Sequence, residues 1–342
     1  VETMTSADGS GVVHDDVWIP VDETAAVAGA RRRAGALATA AGLAADRVGE
    51  VEIVVSELAT NVVKHGGGGD LVLRRLPETD GGGLQVVAVD AGPGTRHLEA
   101  MAGDGRSSAG TLGVGLGAVR RLSARVDMWS APTRGTVVVA GLTADGSDHE
   151  PLVAELRRPL RGETVCGDAV GHREIDGGTL LVVADGLGHG PLAAQASSRA
   201  LEVFHAASST SPADLVRRMH QALSGTRGAA IAVCLVDPAR RTLVHAGVGN
   251  VSCRLVGGRR ARWLPSQPGI VGHNLPRVQE QPVDLDDSQL VVLHSDGLTE
   301  KWSPEDLPPV TRHGATVVAA ALLRDAGTRR DDASVLAMRV SA

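Results

Sequence analysis

Apolar positions along the chain keep two rhythms, one of helical period and one of short β-branched runs. Val48, Val51, Val54, Val55, Leu58 and Val62 recur at helical spacing, which predicts a helix over 45–65 with one buried face. An Ala-rich stretch to about Gly42, opened by Asp22 and Glu23, predicts a helix before it. Apolar runs predict strands at 71–76, 84–89, 125–130 and 136–142, and an edge strand at 17–21, where Pro20 lies inside the run. Further on, strands are expected at 152–156, 180–184, 231–236, 242–246, 252–256, 260–264 and after residue 333. Helices are expected from Pro191 to Ala207, from Pro212 to Leu223 and over 315–326. Residues 1–16 are polar and read as a flexible tail, and 143–150, TADGSDHE, have linker composition. The expected organisation is an α/β (α+β) domain at 17–142 and a second domain at 151–342, whose paired helices and run of strands fit an αββα sandwich.

A length of 342 residues exceeds what one core comfortably serves, which agrees with two domains. With one Phe, four Trp and no Tyr, the cores must be filled by Val, Leu and Ala. The net charge of -6 argues against nucleic-acid binding. Arg31 to Arg33 and the GGRRAR segment then read as a solvated helix face and a hairpin turn. Three cysteines without a CxxC pair point to a reducing cytoplasm and away from structural zinc. No apolar run reaches the ~18 residues a membrane span needs, and no signal peptide opens the chain.

In the second half, VVADGLGHG at 182–190 is an apolar strand stopped by Asp185 and glycine. LVVLHSDGL at 290–298 repeats the design with Asp296, and RDDASVL at 330–336 offers Asp331 and Asp332 before another strand. One Asp-Gly is ordinarily a turn, but three strand-terminal acidic positions in one half suit a hard cation that needs oxygen ligands on rigid elements. With CGDAV at 166–170, ADGLGHGPLAAQASS, RGAAIAV at 227–233 and GVGN at 247–250, this half resembles the metal-dependent PPM family of serine/threonine phosphatases, SpoIIE branch, and within it the RsbX type. The resemblance implies a PPM-type αββα sandwich in which Asp185 and the carbonyl of Gly186 bridge two Mn²⁺ or Mg²⁺ ions. Asp296 and Asp331 complete one ion, and Asp168 and Asp332 are additional or water-mediated ligands. Cys166 reads as core, because no phosphate-binding loop ending in Arg follows it. His189 is open between a proton donor and a helix-start residue.

In the first half, Glu57, Asn61 and Lys64 fall along one stripe of their helix, which alone would read as solvated surface. They precede VDAGPG at 89–94, a lid-like stretch rich in Gly and Ser, and GTLGVGLGAVRRLS at 110–123, where glycines open an amphipathic helix and offer bare N–H groups to phosphate. Together these boxes resemble the GHKL (Bergerat) ATPase superfamily, histidine-kinase-like, and within it the small RsbT-type serine/threonine kinases of sigma-factor pathways. Carried over by that resemblance, Glu57 is the catalytic glutamate, Asn61 the Mg²⁺ ligand and Asp90 the acceptor for the adenine amino group of ATP. Gly92 and Gly94 turn the lid, and Gly113, Gly115 and Gly117 approach the phosphates. Lys64 and His65 remain open between nucleotide contact and helix surface.

The resemblances imply a bifunctional regulator of a bacterial partner-switching stress pathway, an ATP-dependent protein kinase joined to a phosphoserine/phosphothreonine phosphatase. Its expected substrates are STAS-domain regulator proteins, with a downstream phosphatase or a sigma factor as further partners. The other reading keeps the phosphatase and makes the N-terminal half a non-catalytic module that binds a sigma factor or regulator.

Overall fold

Strands of the first half form one antiparallel sheet in the order β1-β2-β3-β5-β4, made of β1 (Val17–Pro20), β2 (Gly69–Arg75), β3 (Gly83–Asp90), β4 (Arg125–Ser130) and β5 (Thr136–Thr143). The computed structural model describes residues 16–98, 112–148, 150–257, 261–275, 277–286, 289–302 and 310–340. Residues 1–15 of the expected tail and 99–111 of the lid-like stretch and glycine box lie outside them, whereas the Asp16 side chain is buried and held in place. Alternation along β3 sends Leu84, Val86 and Ala88 to one face and Val87 and Val89 to the other, and every residue of the strand is buried. The first face packs on α1 (Thr24–Ala40), α2 (Ala45–Asn61) and α3 (Leu112–Leu122). Gly35 permits a close approach of α1 and α2, since a Cβ there would stand 2.5 Å from Glu52 Oε1.

The second half builds two five-stranded sheets. One runs β13-β10-β9-β8-β7, from β7 (Asp168–Ile175), β8 (Gly178–Gly186), β9 (Ala229–Asp237), β10 (Thr242–Val248) and β13 (Gln281–Asp284). The other runs β12-β11-β14-β15-β6, from β6 (Val153–Arg158), β11 (Ser252–Val256), β12 (Arg262–Leu264), β14 (Leu290–His294) and β15 (Ala333–Arg339). Apolar residues such as Leu181, Val183, Leu293 and Leu336 fill the layer between the sheets. α4 (Pro191–Ala206) and α5 (Pro212–Ala222) cover the outer face of the first. The sandwich is therefore αββα in its layering, as the paired helices predict. No helix among the described residues is long and apolar enough to cross a membrane.

α6 (Ala315–Asp325) covers the outer face of the second sheet, and its other side meets the N-terminal sheet. Every residue from Ala315 to Leu323 is buried. One apolar cluster joins Val72, Val87, Val89, Trp129, Val137 and Val139 of the first half to Val317, Leu322, Leu156 and Val335 of the second. Polar ties close the rim. Asp127 of β4 accepts from Gly314 N at 2.7 Å and bonds His313 Nδ1 at 2.7 Å, so one carboxylate caps α6 from the other half. Trp18 Nε1 donates to the Arg157 carbonyl at 2.6 Å, and Arg157 N donates to Asp16 at 2.8 Å. The Arg324 guanidinium lies 4.9 Å from the centre of the Trp129 ring. The stretch after β5 is tethered too: Arg125 pairs with Asp148 at 3.1 Å and also with Glu150.

Candidate functional sites

α2 ends sooner than its apolar period predicts. At Val62–Gly66 the chain widens into one π-helical turn, a feature that recurs at functional sites. The expected stripe therefore breaks after Asn61: Lys64 is exposed, while His65 borders a cavity of about 180 Å³. Leu58, Asn61, Asp90, Pro93, Gly94 and Thr136 line the same cavity. Asn61 Nδ2 is buried there with no hydrogen-bond partner among the described residues. Asp90, delivered by the end of β3, is 8% exposed and accepts at Oδ1 from Gly92 N at 2.9 Å and Thr136 N at 3.2 Å. Burial raises its pKa despite those bonds.

Glycines make this crowding possible. A Cβ at Gly66 would stand 2.4 Å from Asp90 Cβ, and one at Gly92 would stand 2.7 Å from Gly66 Cα. Gly94, at φ +61°, packs on Ala131. Gly92 and Gly94 thus hold the end of β3 against the π turn and the β4–β5 hairpin. Gly113 lies in the first turn of α3, and Gly115 and Gly117 are buried further along it. A Cβ at Gly115 would come within 2.5 Å of Glu57 Oε2 and 3.8 Å of Asn61 Nδ2, so the glycine box lies directly on the two polar residues of α2. Residues 110–111 of that box lie outside the described ones. A buried carboxylate acceptor, an orphaned amide donor and glycine backbone beside one cavity fit a nucleotide, which offers an amino group to the first and phosphate oxygens to the others.

In the sandwich, β7 begins at Asp168 directly opposite Asp185 on β8. Asp296 follows β14 and Asp331 precedes β15, so strand ends from both sheets bring acids to one edge. Burial, and then the charges of Asp168, Asp296 and Asp331, push Asp185 up to about 9. Asp168, 2% exposed, is pushed up to about 7 by burial and by Asp332 and Asp296, against the Ser295 and Ser334 hydroxyls. Asp296 is raised by burial and by Asp331, and Asn250 Nδ2 donates to it. Carboxylates that raise one another in this way lack positive charge, and divalent cations would supply it.

Gly186 is buried where the backbone closes in, since a Cβ there would meet the Ala193 carbonyl at 2.2 Å. Asp332 plays a different geometric part. Its two oxygens accept from Leu160 N at 2.7 Å and Gly167 N at 2.8 Å, anchoring the loop before β7. His189, more than half exposed, bonds Glu163 at 3.0 Å. The Cys166 thiol is held well above its ordinary pKa by burial and by Asp168 and Asp332, so it stays protonated. Sequence reading did not single out Asn250, Ser295 or Ser334, whose polar groups face the acids; a buried Ser at a strand end beside Asp was the available signal. Arg227, which the RGAAIAV segment includes without assigning it a role, has its Nη1 2.9 Å from where a Cβ on Gly188 would lie.

A cleft between the halves links the two regions. Gly67–Asp70, Asp90 and Ala91 line one side, and Arg158, Arg161, Glu163, Arg324, Arg329 and Asp331 the other.

Residues 19–141 match the family described as histidine kinase-like ATPase domain, and residues 175–341 match Stage II sporulation protein E. The serine/threonine-protein kinase RsbT of Bacillus subtilis is 32% identical over 90 residues, covering 26% of this chain and 68% of RsbT. The phosphoserine phosphatase RsbX of the same organism is 23% identical over 207 residues, covering 58% of this chain and all of RsbX. A crystal structure of RsbX in complex with magnesium superposes with a TM-score of 0.50 at 21% identity, over 55% of this chain and 94% of that one. A structure described under the bacterial stressosome, "a modular system that has been adapted to control secondary messenger signaling", superposes with a TM-score of 0.52 at 31% identity, over 55% of this chain and 98% of that one.

Proposed function

Because the chain belongs to the partner-switching regulators, joining a histidine-kinase-like ATPase domain of the RsbT kind to a SpoIIE-type protein serine/threonine phosphatase domain of the RsbX kind, we propose that it both adds and removes phosphate on a STAS-domain regulator. The observation that carries the phosphatase half is the convergence of Asp168, Asp185, Asp296 and Asp331 at one edge of the sandwich, with Asp185 pushed up to about 9. Asp185, the Gly186 carbonyl, Asp296 and Asp331 would hold two Mg²⁺ or Mn²⁺ ions, with Asp168 beside them and Asp332 fixing the loop behind. When bound, such ions lower the pKa of a shared water and draw charge from the phosphoryl oxygens. Asn250 orients Asp296, and the arginines of the cleft attract an anionic phosphoprotein to that edge.

In the N-terminal half, Asp90 would accept from the adenine amino group and Asn61 would offer its amide oxygen to Mg²⁺. Glu57, held over Gly115, would take the proton from the attacking hydroxyl. The STAS-domain substrate is what the likeness to RsbT and RsbX implies, and a similar structure described under the bacterial stressosome fits a place in such signalling. The test incubates the full chain with ATP, Mg²⁺, Mn²⁺ and a cognate STAS-domain regulator, reading phosphosites by mass spectrometry. Asp185→Asn is expected to drive the regulator to full phosphorylation, and Glu57→Ala to leave it unmodified. If neither variant changes the phosphorylated fraction, the opposing-pair reading fails. If only Asp185→Asn alters removal of pre-installed phosphate, the N-terminal half is a binding module.

A further inference from the structure

Among the described residues, three neighbouring side chains in the layer between the two sheets of the sandwich can ligate a metal. Cys234 on β9 and His245 on β10 face each other in the antiparallel ladder, and Cys253 reaches them from β11 in the opposing sheet. All three are 0% exposed. Cys234 Sγ and Cys253 Sγ are 3.5 Å apart, and a His245 ring nitrogen and both sulfurs lie within 4.8 Å of one another. The cluster is separate from the aspartate centre. In the β8–β9 ladder Asp185 pairs with Ala230 and Leu181 pairs with Cys234, which sets the two rows about 13 Å apart along the strands.

His245 is the informative member. Neither of its ring nitrogens has a hydrogen-bond partner among the described residues. As an imidazole it carries one orphaned donor and one orphaned acceptor, whichever tautomer it adopts. Buried polar groups are rarely left so, because the water they give up is not replaced. Gly247 gives the ring its room, since a Cβ there would stand 2.9 Å from His245 Nε2 and 2.2 Å from Ser266 Oγ. Core packing alone would be better served by Val or Leu at position 245.

We propose that Cys234, His245 and Cys253 hold a structural zinc ion that staples the two sheets together. Zinc–sulfur bonds of about 2.3 Å at a tetrahedral angle put two thiolates about 3.8 Å apart, close to the spacing of this pair. Charge selects the metal. Two thiolates and a neutral imidazole cancel Zn²⁺, giving a neutral centre that an apolar layer tolerates, whereas Cu⁺ would leave a net negative charge in it. The Mg²⁺ or Mn²⁺ expected at the aspartates prefers oxygen and does not compete here. Binding converts two thiols to thiolates and releases two protons, with no change of oxidation state. The Ser266 hydroxyl borders the same space as His245 and donates to the Val251 carbonyl at 2.8 Å. The ligands come from three strands and two sheets, so no CxxC spacing announces them. The sulfur pair could instead close to a disulfide, which would leave His245 without a partner.

The test uses the full chain, expressed with zinc, purified without chelator and then dialysed against EDTA to clear the aspartate centre. Retained metal is measured by mass spectrometry, and a second preparation carries Co²⁺. The expectation is about one zinc per chain, falling below about a tenth in Cys253→Ser and His245→Phe. The cobalt form should show thiolate-to-metal charge-transfer absorption that Cys234→Ser removes. The proposal is overturned if the wild-type chain keeps no zinc and shows no cobalt–thiolate band. It is equally overturned if Cys234 and Cys253 are found joined as a disulfide. The wild-type measurement decides even where a cysteine variant fails to fold.

Discussion

Asp90 shows how one carboxylate can be placed by glycines. Its position depends on the absence of side chains at Gly66, Gly92 and Gly135, the last of which would put a Cβ 2.0 Å from the Asp90 carbonyl. A residue so enclosed suits reading one hydrogen-bond donor on a base. Guanine presents a carbonyl where adenine presents an amino group, so the full chain is expected to prefer ATP over GTP by roughly 10⁴-fold. Calorimetric titration with each nucleotide checks this, and Asp90→Ala should abolish the preference. Equal affinities in the wild-type chain would remove Asp90 from the base site. The residue scale is also where sequence reading served best and worst. Asp90, Asp185, Asp296 and Asp331 were visible because each ends or precedes an apolar strand beside glycine or a second acid. The Cys234, His245 and Cys253 cluster was invisible, since its members meet only after two sheets have packed. Asn250 was visible only as part of GVGN, because its use depends on where β14 ends.

Among the elements, α6 is the most telling. Its sequence, ATVVAAALLRD, is apolar on every side, which marks a helix covered all round. The run in β3 carries the same message, since a half-solvated antiparallel strand would alternate and this one does not. The elements were thus legible, but that α6 and β3 cover each other was not, because a pattern of burial does not name its partner. β7 was missed for another reason: DAVGHREI mixes glycine and charge, and it is held by pairing with β8 more than by its own apolar pattern. The cap on α6 allows a measurement. Burial works against the Asp127 carboxylate, but the His313 and Gly314 hydrogen bonds outweigh it and hold its pKa below the ordinary value. The folded state then binds fewer protons than the unfolded state. The stabilisation is full above the ordinary carboxylate range and fades as pH falls below about 4. Asp127→Asn is expected to cost about 1 kcal/mol at pH 7, about 1–1.5 °C in Tm for a chain of this length unfolding as one unit. Calorimetry should show that gap closing toward pH 3, and a gap independent of pH would discount the charge.

For the whole molecule, the shared apolar cluster replaces the picture of two beads on a flexible string that the composition of 143–150 encourages. Val72, Val87, Val89, Trp129, Val137 and Val139 would all be bared if the second half were removed. Each large side chain contributes on the order of 1.5–3 kcal/mol by its burial, so the interface is comparable to the net stability of a domain. Unfolding of the full chain is accordingly expected as one cooperative calorimetric transition, with nucleotide binding and phosphatase activity lost at the same temperature. Two resolved transitions would mean that the halves are energetically independent. Substituting Val318, 0% exposed in α6, by Asp should lower the stability of both halves together, although it touches neither candidate site.

The helix common to both halves also bears on how copies of the protein are lost in a growing cell. Where opposing enzymes are separate chains, a protease or a heat shock removes one faster than the other, and the balance of the signal drifts with damage. Here an insult that opens α6 exposes both halves in the same event. The number of working copies falls, while the ratio of the proposed kinase to the proposed phosphatase among the survivors stays at one. A steady-state phosphorylation level set by that ratio would then persist while its rate of adjustment declines, so an ageing pool of this protein would report stress more slowly without shifting the set point.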